Sequence, residues 1–297
     1  MRALITGGEG FVGQWLAAHL KDRGDEVAVI DIETDVADGP AVRRVMADVR
    51  PEAVYHLAAM THVGESWEKP GQVLRVNVLG TAEILAAARS LEGNPRVLVV
   101  SSAEVYGIVT PDQLPLGEYT PTEPASPYAA SKLAAEAVAF QAWRGYGQPV
   151  LVVRPFNHIG PGQSPNFFVP ALAKRIVDAR RSGTKSLPVG TLSTRRDFTD
   201  VRDVVVAYRL LIERGVPGEV YNVCSGRDVA MSEVAAQLLD LAGADLTFET
   251  DPELVRPVDV PVLRGSAERL QAATGWQARI PLATTLADVL TSWEEAD

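Results

Sequence analysis

Cysteine is nearly missing from this chain of 297 residues: Cys224 stands alone. One thiol cannot close an internal disulfide, so the fold must rest on its apolar core, and a disulfide-stapled secreted scaffold is excluded. No Cys/His cluster has zinc spacing, so no metal site is expected. Cationic side chains are in deficit, 28 Lys and Arg against 38 Asp and Glu, for a formal charge of −10. Such a chain has no electrostatic footprint for a phosphate backbone, and nucleic acid is excluded as a partner. Long apolar runs are lacking as well: none approaches the ~18 residues that a membrane span requires. Met1 and Arg2 lead straight into a strand-like run, which leaves no room for a signal peptide. Repeats and low-complexity tracts are also missing, with the 24 Gly and 20 Pro spread along the chain, so disordered and fibrous architectures are set aside. The expectation is a soluble protein of the reducing cytoplasm, without membrane or nucleic-acid partners.

What is present is alternation. Short β-branched runs at Ala3–Thr6, Glu26–Asp31, Ala53–Leu57, Val97–Ser101, Pro149–Pro155 and Val220–Cys224 read as strands buried on both faces. Between them, helical periodicity marks Phe11–Arg23, Pro40–Val49, Gln72–Ser90, Ser126–Arg144 and Val201–Arg214. The pattern predicts an α/β fold, a Rossmann-like doubly wound parallel sheet, with a smaller C-terminal α/β substrate lobe. Residues 1–160 and about 199–224 would form the cofactor lobe, and about 161–198 with 225–297 the substrate lobe.

The first strand ends in GGEGFVG, which places Gly7, Gly10 and Gly13 at a strand-to-helix turn. One glycine permits the tight turn, one lets a pyrophosphate approach the backbone, and one lets helix and strand pack closely. The helix N-terminus beyond offers N–H groups and a positive dipole end to phosphate. The second strand ends in Asp31, 18 residues after Gly13, near the ~20 expected for a carboxylate on an adenosine ribose. That carboxylate would repel a 2′-phosphate, and Ile32, Glu33 and Thr34 supply no arginine. NAD(H) is therefore favoured, with NADP(H) retained as the alternative.

Tyr128 and Lys132 are four apart at a helix start and share a face. With 7 Tyr and 5 Lys in 297 residues, such a pair arises by chance only about 0.1 times. An ammonium beside a phenol favours the phenolate, and the spacing predicts a Tyr128 pKa drawn down toward the working range. Ser101 and Ser102 close the strand VLVVSS at the carboxyl edge, where open α/β sheets bind ligands, so Ser102 could hydrogen-bond the oxygen that Tyr128 protonates. His62 and His158 read as pocket-wall residues, and Trp67, Trp143 and Trp276 as packing.

Together GGEGFVG, HLAA (56–59), NVLGT (77–81), SSAEVYG (101–107), SPYAASK (126–132) and RPFNHIGPGQ (154–163) resemble the extended short-chain dehydrogenase/reductase superfamily, in its nucleotide-sugar branch. Within it, RRDFTDVRD (195–203), VYNVCSG (220–226) and the segment from Arg256 onward are most similar to reductases of GDP-6-deoxy-4-keto-mannose, which form GDP-D-rhamnose. GDP-mannose 4,6-dehydratases are close relatives of these. The resemblance implies that Gly7, Gly10, Phe11, Val12, Gly13 and Asp31 hold the dinucleotide, with Asp35 and Val36 by adenine. It places Leu57, Ala58 and Ala59 near phosphates and ribose, and Asn77, Pro155, Tyr128 and Lys132 also on the cofactor. Tyr128 would be the acid, Lys132 its tuner and Ser102 the second donor, while Ser66, Ser102, Glu104, Asn157, Phe167 and Lys174 would meet the sugar nucleotide. Arg196 and Arg256 would take its diphosphate, a task that guanidinium forks suit. It also implies a homodimer joined through the helices of Gln72–Ser90 and Ser126–Arg144.

Dehydratases must take a proton from C5 and help water leave C6. They carry Thr-Asp-Glu or Thr-Ser-Glu where this chain has Ser102, Ala103 and Glu104. Ala103 cannot be an acid, yet Glu104 occupies the place of the dehydratase base, and THVGES (61–66) resembles the dehydratase pattern. The reading is an NAD(P)H-dependent reductase of a GDP-linked 4-keto-6-deoxy sugar. A GDP-mannose 4,6-dehydratase or another nucleotide-sugar epimerase or dehydratase is the alternative, and a non-catalytic NAD-sensing protein a further one.

Overall fold

The computed structural model describes residues 1–252 and 260–296. The first half runs β1 (Arg2–Thr6), α1 (Phe11–Asp22), β2 (Glu26–Ile30), α2 (Gly39–Val49), β3 (Ala53–His56), α3 (Val63–Glu68), α4 (Pro70–Leu74), a π-helical turn at Arg75–Leu79 and α5 (Gly80–Arg89). Then come β4 (Arg96–Val100), α6 (Pro127–Tyr146), β5 (Val150–Pro155), β6 (Asn157–Ile159), α7 (Phe168–Ser182), β7 (Ser186–Val189), β8 (Arg195–Asp200), α8 (Val201–Arg214) and β9 (Val220–Val223). The last section holds β10 (Asp228–Ala230), α9 (Met231–Ala242), β11 (Thr247–Thr250), β12 (Val262–Leu263), α10 (Glu268–Thr274) and α11 (Leu282–Glu294).

Six parallel strands form one sheet in the order β2-β1-β3-β4-β5-β9, so the α/β, doubly wound expectation is met. The chain winds one way from β1 to β2 and the other way from β3 onward, so the carboxyl ends of β1 and β3 form the topological switch point at which open α/β sheets bind ligands. β1, β3 and β5 are buried almost throughout because helices cover both faces. On one face α1 and α8 pack with Leu16, Leu20, Val204 and Tyr208; on the other, α2, α5 and α6 pack with Met46, Ile84 and Ala139.

A second sheet, β10-β8-β12 with β6 on β8, carries the smaller lobe, whose own core joins α7, α9 and α11 through Ile176, Leu238 and Leu286. The C-terminal section does not stay within that lobe. Leu270 and Trp276 enter the core of the large sheet, and the Trp276 indole donates to the Asp203 carbonyl at 2.9 Å. The single helix expected over 72–90 begins at Pro70 and contains the π-turn, while α3 and the short strands of the small lobe were not legible as separate elements. Trp67 is not packed as expected, being 59% exposed, whereas Trp143 lays its ring over Gly218. Among the described residues, no helix is long and apolar enough to cross a membrane.

Candidate active site

The glycine turn closes against β3. Gly7 has φ +70°, a conformation that L side chains rarely adopt, and a Cβ there would lie 2.8 Å from the Ala58 amide nitrogen. At Gly13 a Cβ would lie 2.3 Å from the Gly7 carbonyl oxygen, so α1 can cross the turn only without a side chain. Gly10 is different: a Cβ there would meet only the Gly7 oxygen, at 3.2 Å, so that face opens outward. It caps α1 with its backbone alone, leaving the first N–H groups of Phe11, Val12 and Gly13 without intrahelical acceptors by helix geometry. A bare backbone cradle at a helix N-terminus fits a pyrophosphate.

Asp31 is brought to that cradle. Its carboxylate accepts from the Glu9 amide at 2.7 Å and the Ile32 amide at 2.9 Å, which fixes an acceptor beside the turn where a ribose diol would lie. Asp35 accepts from Ala37 and pairs with Arg75 at 2.5 Å, and the guanidinium holds its carboxyl below the usual range. The Val36 side chain is in the core, against the place where Gly80 lacks a Cβ, so only its backbone is available to a ligand.

After β3, the Ala58 amide donates to Thr6 Oγ1 at 3.1 Å, and Thr6 in turn meets His56 Nδ1 at 2.8 Å. His56 is fully enclosed, and burial lowers its pKa to about 3. Asn77 sits in the π-turn, a distortion frequent at functional sites. Its Oδ1 accepts from the Met60 amide at 2.8 Å, and its Nδ2 donates to the Met60 carbonyl and to Ser131 Oγ. Asn77 therefore locks the strand end at Leu57–Ala59 onto α6.

The Ser126 hydroxyl caps α6 by accepting from the Ala129 amide. Tyr128 follows in the first turn, 8% exposed, with the Ser102 side chain at the end of β4 close enough to act on its phenol. Lys132 lies one turn on, with Nζ donating to the Val100 carbonyl at 2.9 Å and 5.9 Å from the Tyr128 ring centroid. The expected lowering of the Tyr128 pKa is not what the geometry produces. Burial pushes the phenol up to about 12, with the Glu104 carboxylate adding to the rise and Ser102 opposing it. Burial likewise draws Lys132 down to about 8, against the pull of Glu136. Enclosure disfavours both charged forms, and this outweighs their spacing.

The remaining sequence-derived residues divide. Ser66 is fully buried; its hydroxyl donates to the Val63 carbonyl and accepts from the Tyr128 amide, so it ties α3 to the start of α6. Pro155 ends β5 in the core, and Asn157, exposed, opens β6 just beyond. Phe167 is partly exposed at the N-cap of α7. Lys174 is turned to Asp178, at 2.6 Å, and the Trp293 ring, and no contact joins it to Tyr128 or Ser102. Arg196 lies on β8 with Nη1 donating to the Arg195 and Val260 carbonyls; Arg256 falls outside the described residues. His158 stacks on Phe11 with centroids 6.2 Å apart and bonds the Phe156 carbonyl, while His62 caps α3.

Sequence reading missed the polar layer beneath the site. Glu136, 1% exposed, accepts from Arg154 through both oxygens at 2.9 and 2.7 Å and from Ser101 Oγ at 2.5 Å. Its position one turn past Lys132 on an Ala-rich helix was the available signal. Asp197, fully buried, accepts from the amides of Ser225, Gly226 and Gly265 and tethers β8 to the loops after β9 and β12.

Residues 3–224 match the model of the NAD dependent epimerase/dehydratase family. The chain is 37% identical to GDP-6-deoxy-D-mannose reductase of Pseudomonas aeruginosa, over 99% of this chain and 97% of that protein. It is 33% identical to dTDP-glucose 4,6-dehydratase of Streptomyces antibioticus over 82% of this chain and 78% of that one. The solved structure of RMD from Pseudomonas aeruginosa complexed with NADPH superposes with a TM-score of 0.92 at 37% identity, covering 100% and 99% of the two chains. UDP-glucose 4-epimerase of Thermus thermophilus in complex with NAD gives 0.90 at 29% identity, with both chains covered fully.

Proposed function

Because the chain belongs to the NAD dependent epimerase/dehydratase family, we propose that it is an NAD(P)H-dependent reductase of a nucleotide-linked 4-keto-6-deoxy sugar, converting GDP-4-keto-6-deoxy-D-mannose to GDP-D-rhamnose. The observation that carries this reading is the buried Ser102–Tyr128 hydroxyl pair with Ala103, 2% exposed and apolar, directly after it. Two oxygen-bound protons converge where a carbonyl oxygen can be met, and the residue beside them offers no acid to expel water from C6.

The cradle of Gly7, Gly10 and Gly13 with Asp31 would hold the dinucleotide, whose reduced nicotinamide supplies hydride to carbon 4 when bound. Tyr128 keeps its proton through the neutral range because burial pushes it up to about 12, so it is the group that donates to the keto oxygen as charge develops there. Ser102 accepts from the Glu104 amide, which leaves its own O–H for the same oxygen. Lys132, held by the Val100 carbonyl, stabilises the phenolate left behind. Either NADH or NADPH serves. The acidic surroundings of Asp31, Glu33 and Asp35 favour NADH, and Arg196 and Arg256 are assigned to the diphosphate.

A dehydratase remains the second reading for one reason: the Glu104 carboxylate acts electrostatically on Tyr128 and so lies near the phenol. The purified protein should consume NADH stoichiometrically with GDP-4-keto-6-deoxy-D-mannose. Loss of water from GDP-mannose with catalytic NAD and no net oxidation would replace the reductase with the dehydratase. Tyr128→Phe should abolish turnover in either case.

Residues 1–160 and about 199–224 are proposed as the cofactor lobe, joined by α10, and the rest as the substrate lobe. The protein is proposed to work in the cytoplasm as a homodimer paired through α5 and α6. Leu74 and Leu79, just before and within the π-turn that leads into α5, and Tyr146 on α6 are exposed. Light scattering that returns a monomer at working concentration would refute the dimer.

A further inference from the structure

Resting on the reductase reading, we propose that Glu136 and Arg154 form a positioning pair for the reaction: Glu136 stands as the buried anion one helical turn from Lys132 and, through Ser101, fixes the strand end that presents Ser102. Neither residue touches the reacting atoms. The pair works from beneath.

The geometry is closed on every side. Glu136 follows Lys132 by one turn on the same face of α6, and both are buried. Oε1 of Glu136 accepts from Ser101 Oγ on β4 and from Arg154 Nε on β5, and Oε2 accepts from Arg154 Nη2. Arg154 Nη1 donates onward to the Tyr106 hydroxyl at 3.2 Å and the Glu118 carbonyl at 3.3 Å, and Tyr106 donates to Asn222 Oδ1 at 2.7 Å. Tyr106 ends the short turn that begins after Ser102 and carries Glu104. One carboxylate therefore ties together the helix of Tyr128 and Lys132, the strand end of Ser102 and the strand that leads to Pro155.

The groups that face Lys132 are few. Tyr128 and Glu136 approach from its own helix, and His56 from β3 is held neutral by burial. Val100 offers a carbonyl from β4. Glu104 and Tyr106 lie on the turn after Ser102, and Arg154 on β5 is reached only through Glu136. Glu136 is the anion that opposes the desolvation of the ammonium. Without it, the enclosed lysine loses its proton at a lower pH. An activity that needs the ammonium is present below that pKa and lost above it, so the alkaline limb of the rate profile moves down.

Glu136→Gln alone strands a buried guanidinium and is expected to fold poorly. The test is therefore Glu136→Gln/Arg154→Met, with Glu136→Asp beside it. The readouts are kcat against pH for the 4-keto sugar and the Kd of NADH. In the double variant the alkaline limb should fall by about one pH unit, with activity at pH 8 about fivefold lower and NADH affinity within a few-fold of wild type. Glu136→Asp keeps the charge but shortens the reach, so its limb should stay in place while kcat falls. An unmoved limb in the double variant overturns the proposal. Should that variant not fold, Ser101→Ala decides: a several-fold drop in kcat with an unmoved limb supports the strand-end tether, and an unchanged kcat overturns it. Failure of the wild type to reduce the ketone would instead refute the reductase reading, and the two failures cannot be confused.

Discussion

Gly10→Ala separates the fold from the cofactor site. Gly10 has φ −67° and ψ 167°, an extended conformation that alanine adopts without strain, so the substitution removes unfolded-state entropy worth about 0.4–1 kcal/mol in its favour. Against that stands one tight contact, 3.2 Å from the new Cβ to the Gly7 oxygen, which a small shift relieves. The two effects nearly cancel, and the melting temperature should move by no more than about 2 °C. The methyl nevertheless stands on the open face of the turn, where a pyrophosphate must reach the backbone amides. NADH affinity, read by quenching of protein fluorescence, should fall by about tenfold or more, or roughly 1.4 kcal/mol. Gly13→Ala is the contrast. Its Cβ would be 2.3 Å from one backbone atom and 2.6 Å from another, neither the end of a flexible side chain. The backbone itself must move, at about 1–3 kcal/mol, so this variant should lose both stability and binding. If Gly10→Ala bound NADH as tightly as wild type, the turn would not be the pyrophosphate site and the cofactor assignment built on it would fall.

Other outcomes follow from the same geometry. His56, with its folded-state pKa lowered to about 3, stabilises the fold above its unfolded value near 6.5, and this is lost as the pH falls from there. The loss is about 1.4 kcal/mol per unit; a His56→Gln variant should show a shallower acid denaturation between pH 6 and 4, and an identical slope would exclude His56 as the cause. Asp31→Ser should raise the ratio of NADPH to NADH kcat/KM by about tenfold, whereas an unchanged ratio would remove Asp31 from cofactor choice. Asp197→Ala leaves the amides of Ser225, Gly226 and Gly265 without their acceptor, and urea unfolding should reveal a loss of about 3 kcal/mol. A loss below about 0.5 kcal/mol would mean that those amides find other partners.

How far the chain was legible depended on the range of the interaction. The inner parallel strands were readable because they are buried on both faces and so apolar along their length, as with VLVV at 97–100. The strands β6, β10 and β12 have two or three residues each, too few for a period to register. The π-turn at Arg75–Leu79 was invisible because its composition is that of any helix. The resemblance gives Lys174 a ligand role, and only the structure shows its ammonium paired with Asp178 one turn on along the same helix.

By itself the sequence determined what local geometry and short spacing dictate: the alternating strands and helices, the glycine turn with Asp31 at the end of the next strand, and Tyr128 and Lys132 on one helical face. Those relations hold within a turn or a βαβ unit, so residue order is enough. Only the tertiary structure decided that Ser102 lies beside the Tyr128 phenol, that Arg154 is spent on Glu136, and that Asp197 ties β8 to the loops after β9 and β12 through three backbone amides. It also reversed the expected direction of the Tyr128 pKa. Spacing specifies which charges are neighbours, but the cost of removing them from water depends on everything packed around them, and that exists only once the chain has folded.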